Sequence, residues 1–336
     1  NSRAEIVAIC DPVEELISQS ETFIKEEHDK NGNKHNKIAK YNKYSDLLKA
    51  ISSSEIKIDL IVLTTPSGLH AQQVVDGSKL GVNMCTEKPM ATRWNDGLRM
   101  VKACDEAGVR LFVVKQNRFN QTLQLTKEQI SSGRLGRIAL VTVNVFWQRP
   151  QSYYDQADWR GTWEFDGGAL MNQASHYVDL LDWLIGPVQS VNASIATIER
   201  QIEVEDTAVM NIRWRNGALG TLAVTMLAYP KNIEGSITIL GQKGTIKIGG
   251  NAVNKIEIWE FEDSRSIDNK IEEVSYETTS VYGFGHEAYY SNLLDALEGK
   301  DNPLCDGREG LKSLEILIGA YRSAQTSQPV HFPLDF

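Results

Sequence analysis

Short, continuous apolar runs alternate with amphipathic stretches through the first third of the chain. Residues 5–10 (EIVAIC) and 58–65 (IDLIVLTT) read as buried strands, apolar without polar alternation and rich in β-branched side chains. Residues 82–86 and 109–115 continue the set. Between them the pattern predicts helices over 12–27, 44–51, 69–80 and 94–107, the last two stopped by Gly81 and Gly108. Residues 25–40, dense in Asn, Lys and His, read as a solvated insertion. Apolar strands separated by helices imply a parallel sheet covered on both faces, the doubly wound α/β class.

The pattern changes from about residue 136. Strands then follow one another to about residue 274, with a hairpin of 204–213 and 218–227 turning at Asn216 and Gly217. Residues 233–240, 245–248 and 255–261 continue a mainly antiparallel sheet, with Gly241 and Gly244 at another tight turn. One long helix is expected over 170–184, and two more, 286–297 and 308–324, close the chain. The expected division is a Rossmann-type domain over 1–118 and an α+β domain with a large open sheet over 119–336. The closing helices do not obviously cover that sheet, so a homo-oligomer, dimer or tetramer, through its open face is expected.

Composition narrows the function. The net charge is −9 and no basic stripe is present, which argues against a nucleic-acid partner. No run of 18 apolar residues exists, so no membrane-spanning helix is expected. No charged-then-apolar leader opens the chain, which reads as cytoplasmic. Cys10, Cys85, Cys104 and Cys305 show neither C-x-x-C nor metal-ligand spacing and read as reduced, buried thiols with no metal.

A dinucleotide-binding domain normally opens with a strand and a G-x-G-x-x-G turn, and this chain shows none. The strand at 5–10 ends in Asp11, where a second strand would carry the acid that follows that turn by ~20 residues. One reading is that roughly 25–30 residues of first strand, loop and helix lie outside this chain. The other is that no such domain exists and Asp11 is an ordinary turn residue before Pro12.

Ligands of doubly wound sheets bind beyond the carboxyl ends of the strands. Three such ends carry polar groups here. Thr65, Pro66, Ser67 and His70 follow the clearest strand, and read either as ligand contacts or as a turn with Ser67 as helix cap. Glu87, Lys88 and Pro89 follow the next. Lys88 suits stabilisation of a developing oxyanion, although an exposed turn lysine is the plainer reading. Lys115, Gln116, Asn117 and Arg118 follow the last, as donors to substrate oxygens or as a boundary cap. In the second domain Asn172, His176 and Asp179 share a helix face beside the apolar stripe, with Gln173 adjacent and Gly167 and Gly168 at the start. His176 there is either a general base or a satisfied core residue. Trp159 and Arg160 suit a sugar or uracil ring plus a carboxylate or phosphate, or pack as an aromatic loop.

In order, Asp11, the Thr65–His70 turn, E-K-P at Glu87, Lys88 and Pro89, and the G-G…H-x-x-D helix from Gly167 to Asp179 resemble the Gfo/Idh/MocA oxidoreductases over nearly the whole chain. Segments 63–73, 86–94, 113–118, 159–187 and 280–286 further resemble the bacterial UDP-N-acetyl-2-amino-2-deoxyglucuronate dehydrogenases. The resemblance implies NAD as cofactor, with Asp11 on the adenosine ribose and Thr65, Pro66, Ser67, His70, Glu87, Lys88 and Gln116 along it. It implies oxidation of a sugar C3 hydroxyl, with Lys88 and His176 catalytic. Lys115, Asn117, Arg118, Trp159, Arg160, Asn172, Gln173 and His176 are then expected at the UDP-sugar, on a route to surface polysaccharide. In some members 2-oxoglutarate takes the hydride back. Many family members carry Asp where this chain has Asn172, which leaves His176 as the better proton acceptor. A family dehydrogenase of a free sugar or inositol, and a non-catalytic sensor, are the competing readings.

Overall fold

The computed structural model describes residues 3–30, 37–278 and 281–334; part of the polar insertion (31–36) and Ser280 lie outside them. Strands and helices first alternate: β1 (Ala8–Cys10), α1 (Glu14–Lys30), β2 (Ala39–Tyr41), α2 (Tyr44–Ser52), β3 (Leu60–Leu63), α3 (His70–Ser78), β4 (Asn83–Thr86), α4 (Trp94–Ala107) and β5 (Leu111–Val113). Every pairing among these strands is parallel, in two ladders, β1–β2 and β3–β4–β5. β2 was hidden by its sequence. Its first two residues end the stretch read as a solvated insertion, and Lys40 at its centre is exposed.

After α5 (Gln121–Ser131) come β6 (Ile138–Phe146), α6 (Ser175–Leu180), β7 (Val188–Ala196), β8 (Thr207–Trp214), β9 (Leu219–Thr225), β10 (Glu234–Gly241), β11 (Gly244–Gly249) and β12 (Lys255–Phe261). Helices α7 (Gly285–Leu297) and α8 (Gly307–Thr326) and the short β13 (Val330–His331) close the described chain. The second sheet runs β12-β11-β10-β6-β9-β8-β7-β13, antiparallel except for the β6–β9 pair. Alternation along β8 buries Ala208, Met210, Ile212 and Trp214 and turns Val209, Asn211 and Arg213 outward. The inner face is covered by the segment around α6 and by α8, so a closing helix does cover this sheet. On the outer face Leu140, Val209 and Leu219 are more than a third exposed.

The closing helices also serve the first domain. Met84, Leu111 and Val113 point to one face of the parallel ladder, Cys85 and Phe112 to the other. The first face packs on α3, α4 and Leu314 and Leu317 of α8; the second packs on Tyr289, Leu293 and Ala296 of α7. The end of the chain therefore bridges both sheets.

The helix expected over 170–184 is broken into three. A π turn (Ala169–Gln173), α6 and a second π turn (Leu181–Ile185) follow one another. The wider first turn is closed by Ala174 N donating to the Ala169 carbonyl at 2.8 Å. Such one-residue expansions leave the apolar stripe nearly unchanged, so hydrophobic periodicity does not register them.

Candidate active site

β4 delivers Lys88 to the junction of the two sheets. Its ammonium crosses to the second domain and donates to the Asn172 carbonyl at 3.0 Å and to Asn172 Oδ1 at 3.1 Å. Asn172 Nδ2 in turn donates to Asp166 Oδ1, while Asp166 Oδ2 accepts from Gly161 N at 2.7 Å. Burial holds the Lys88 ammonium below its ordinary pKa; Glu87 and Asp166 oppose that and Arg149 adds to it. Burial likewise raises the Asp166 carboxyl, against its bonds to Gly161 and Asn172.

His176 sits one turn further along, on α6. It is 5% exposed, and its Nε2 lies 3.2 Å from the side-chain amide nitrogen of Gln116. With that amide donating, Nε2 carries the lone pair. Burial, then the Lys88 charge, push His176 well below the ordinary histidine pKa, while Asp179 pulls the other way. The imidazole is therefore neutral at neutral pH. Lys88 and His176 line one small cavity together with Pro89, Val113 and Ser175.

What forms this corner is the first turn at Ala169. Glu205 Oε1 accepts from Leu170 N at 2.8 Å and from the Tyr321 hydroxyl at 2.9 Å, and the Tyr321 oxygen accepts from Met171 N at 3.1 Å. A Cβ on Gly168 would stand 1.9 Å from Glu205 Oε2, so only glycine fits there. Burial pushes the Glu205 carboxyl up to about 7 despite these bonds.

The turn after β3 meets the second domain directly. Gly68 N donates to the Phe165 carbonyl at 3.1 Å, and a Cβ on Gly68 would lie 2.0 Å from the Glu164 oxygen. Thr65 Oγ1 donates to Gln73 Oε1 at 2.6 Å, and Ser67 makes no capping bond, Pro66 standing at the cap position. Glu87 is half-buried, its carboxylate accepting from Lys88 N at 3.2 Å. Asp11 Oδ1 accepts from Val13 N at 2.8 Å, which gives it the ordinary turn role at the start of α1. Its place at the end of β1 is also the one the ribose acid takes.

Three expected ligand contacts have partners within the fold. His70 is fully buried, its ring nitrogens 3.2 Å from the Pro89 carbonyl and 3.0 Å from the Thr65 carbonyl. Burial holds it at about pKa 4, so it is a neutral brace between two turns. Lys115, which lines the same cavity as Lys88 and His176, and Arg118 are held by the fold as well. Lys115 Nζ donates to Asp179 Oδ1 and Ser313 Oγ, both at 2.6 Å. Arg118 grips both Asp179 oxygens at 2.7 Å and bonds Glu309 at 2.9 Å. Burial tends to raise the Asp179 carboxyl, but the two cations bring it down to about 2. They are drawn inward because Asp179, on the same helix face as His176, needs neutralising once buried. Asp179→Asn leaves Lys115 without an anion and Arg118 with Glu309 alone, and is expected to cost about 3–5 kcal/mol in chemical denaturation. The sign follows from a carboxyl depressed from its ordinary 3.8. Its contribution is complete above that value and lost as pH falls towards about 2.

Gln116, Asn117 and Gln173 are all buried at this junction. Trp159 and Arg160 are half-buried and stacked, the guanidinium 4.6 Å from the indole centroid. Sequence reasoning missed Asp166, Glu205, Ser313 and Tyr321, which reach the corner from distant segments. It also missed His286, whose charge acts on His176. Its only signal was its place in the 280–286 segment.

The strand ends suit a nicotinamide dinucleotide. Thr86 Oγ1, Gln116 Oε1 and Asn117 Oδ1 are buried without a hydrogen-bond partner at the carboxyl ends of β4 and β5. Unmet polar atoms at that edge call for a polar ligand.

Comparisons with known proteins agree. Residues 1–115 match the family model described as oxidoreductase family, NAD-binding Rossmann fold, and residues 127–332 match that of the oxidoreductase family, C-terminal alpha/beta domain. The WlbA dehydrogenase of Bordetella pertussis, solved with NADH and UDP-GlcNAcA, is 56% identical, with TM-score 0.90 over 99% of this chain and 92% of that one. WlbA of Chromobacterium violaceum, solved with the same two ligands, is 52% identical, with TM-score 0.87 over 100% and 90%. The NADP-dependent scyllo-inositol 2-dehydrogenase IolW of Bacillus subtilis is 32% identical over 81% of this chain and 78% of its own length. An uncharacterized oxidoreductase of Synechocystis is matched over 58% of its length. No described helix is long and apolar enough to cross a membrane. With a parallel-sheet domain, a large second sheet and both family models matched, the chain belongs to the Gfo/Idh/MocA family of NAD-binding oxidoreductases.

Proposed function

We propose that this protein oxidises the C3 hydroxyl of UDP-GlcNAcA to the 3-keto sugar with NAD. The observation that carries the chemistry is that Lys88, from a strand end of one domain, and His176, from a helix of the other, face one cavity. The two WlbA structures, solved with UDP-GlcNAcA and NADH, support the substrate.

In this reading Thr65, Pro66, Ser67, Glu87 and Gln116 hold NAD along the strand ends, with Asp11 on the ribose. Bound there, NAD supplies the hydride acceptor. His176, neutral, takes the hydroxyl proton on Nε2, with the substrate hydroxyl displacing the Gln116 amide from that lone pair. Lys88 has three N–H donors and spends two on Asn172, which leaves one for the substrate oxygen. Asn172 and Asp166 fix its direction. Trp159, Arg160 and Gln173 contact the sugar nucleotide. The protein works in the cytoplasm, in surface-polysaccharide precursor synthesis, as a homo-oligomer joined through the exposed face of the large sheet.

Adding UDP-GlcNAcA to the NAD-loaded protein should raise absorbance of the reduced cofactor within one turnover, while myo-inositol should not. A reversed preference would assign the chain to the polyol dehydrogenases of its family. No reduction with either would remove the dehydrogenase reading.

A further inference from the structure

Along residues 147–160, rings and guanidinium groups alternate in contact with one another. Arg149 lies 5.3 Å from the Trp147 ring centroid and 5.5 Å from that of Tyr153. Arg160 lies 4.5 Å from Tyr153 and 4.6 Å from Trp159. The order is Trp147, Arg149, Tyr153, Arg160, Trp159. Stacking satisfies the faces of a guanidinium and leaves its N–H edges free.

Those edges are underused. Arg149 Nη1 donates to the Gln148 carbonyl at 2.7 Å, and Arg160 Nη1 to the Tyr153 hydroxyl at 2.8 Å. Arg160 Nε is buried with no partner. Neither arginine joins an ion pair among the described residues. The two fully buried arginines of this chain behave differently. Arg118 is held by Asp179 and Glu309, and Arg134 by Asp263 and Asp268. Where an arginine here has only the fold to serve, two carboxylates neutralise it. Arg149 and Arg160 have no ion pair among the described residues, yet Arg160 directly precedes Gly161, whose N–H donates to Asp166, and Asp166 in turn holds Asn172 against Lys88. Two stacked cations in a half-buried place are costly unless an anion joins them.

We propose that Arg149 and Arg160 form a carboxylate-reading subsite, which binds the C6 carboxylate of the uronate and separates acidic from neutral sugar nucleotides. This rests on the sugar-nucleotide reading above. The carboxylate is favoured over the diphosphate because its carbon is three bonds from C3 and the nearer phosphorus four, and the cations sit against the groups assigned to C3.

Calorimetric titration of the NADH-loaded protein with UDP-GlcNAcA, UDP-N-acetylglucosamine and UDP tests it. The wild type should bind the acid at least about tenfold tighter than the neutral sugar. In Arg149→Met and Arg160→Met that ratio should collapse towards one. Arg149→Lys, which keeps the charge without the planar fork, should retain only part of it. Equal affinity of the wild type for acid and neutral sugar overturns the proposal without any variant. So does a variant that weakens all three ligands in parallel, which assigns the cations to the diphosphate. Failure of the wild type to bind any of the three overturns the sugar-nucleotide reading itself, and this one with it.

Discussion

Lys88→Met should lower kcat by about 10²–10³-fold while NAD binding stays near that of the wild type. The estimate is that for deleting a single preorganised donor to a developing oxyanion. Methionine keeps most of the side-chain volume, so Asn172 and Asp166 lose a partner without a cavity opening. Binding of UDP-GlcNAcA should change far less than turnover, because one hydrogen bond to a neutral hydroxyl is worth little until charge builds on the oxygen. Stopped-flow reduction of bound cofactor separates the two quantities. A variant with weakened binding and intact turnover would make Lys88 an anchor for the substrate. A pH profile adds a second check. Since the ammonium lies below its ordinary pKa, the alkaline limb of kcat should fall below the usual lysine range.

His176→Gln removes the proton acceptor and should cost about 10²–10⁴-fold in kcat. Gln116 beside it can still donate to the new side chain, so the local structure should hold. The ring must be unprotonated to work, and burial with the Lys88 charge keeps it so. The acid limb of kcat/KM should therefore lie well below the ordinary histidine range in the wild type and vanish in the variant. A profile that falls at the ordinary histidine value, or that survives unchanged in His176→Gln, would assign the proton to another group. His286 would be next to examine, since its imidazole acts on His176 and is itself held low by burial.

Much of this architecture was legible from residue order. The strand at 60–63 is apolar throughout, although Val62 remains exposed, and the helices after β3 and β4 are followed by glycines with positive φ, Gly81 and Gly108. The edge at which Lys88 emerges followed from the parallel connections alone. Asn172 and His176 fell on one helix face and do face Lys88 and Gln116. What the sequence hid has two physical causes. Long-range neutralisation is one: the need of Asp179 for Lys115 and Arg118 is visible only once all three are buried together. Backbone detail is the other. The π turn widens the helix by one residue within an unchanged apolar stripe, and the Glu205–Tyr321 brace joins positions more than a hundred residues apart; no local pattern encodes either.

The three-way ion cluster has a bearing on motion. Asp179 belongs to the helix that carries His176, while Lys115 and Arg118 extend the last parallel strand. A hinge between the two lobes would have to pull a dry carboxylate away from both cations, at a cost of several kcal/mol. Clamshell opening is thereby disfavoured, and the two lobes are held at a fixed angle around the reaction corner.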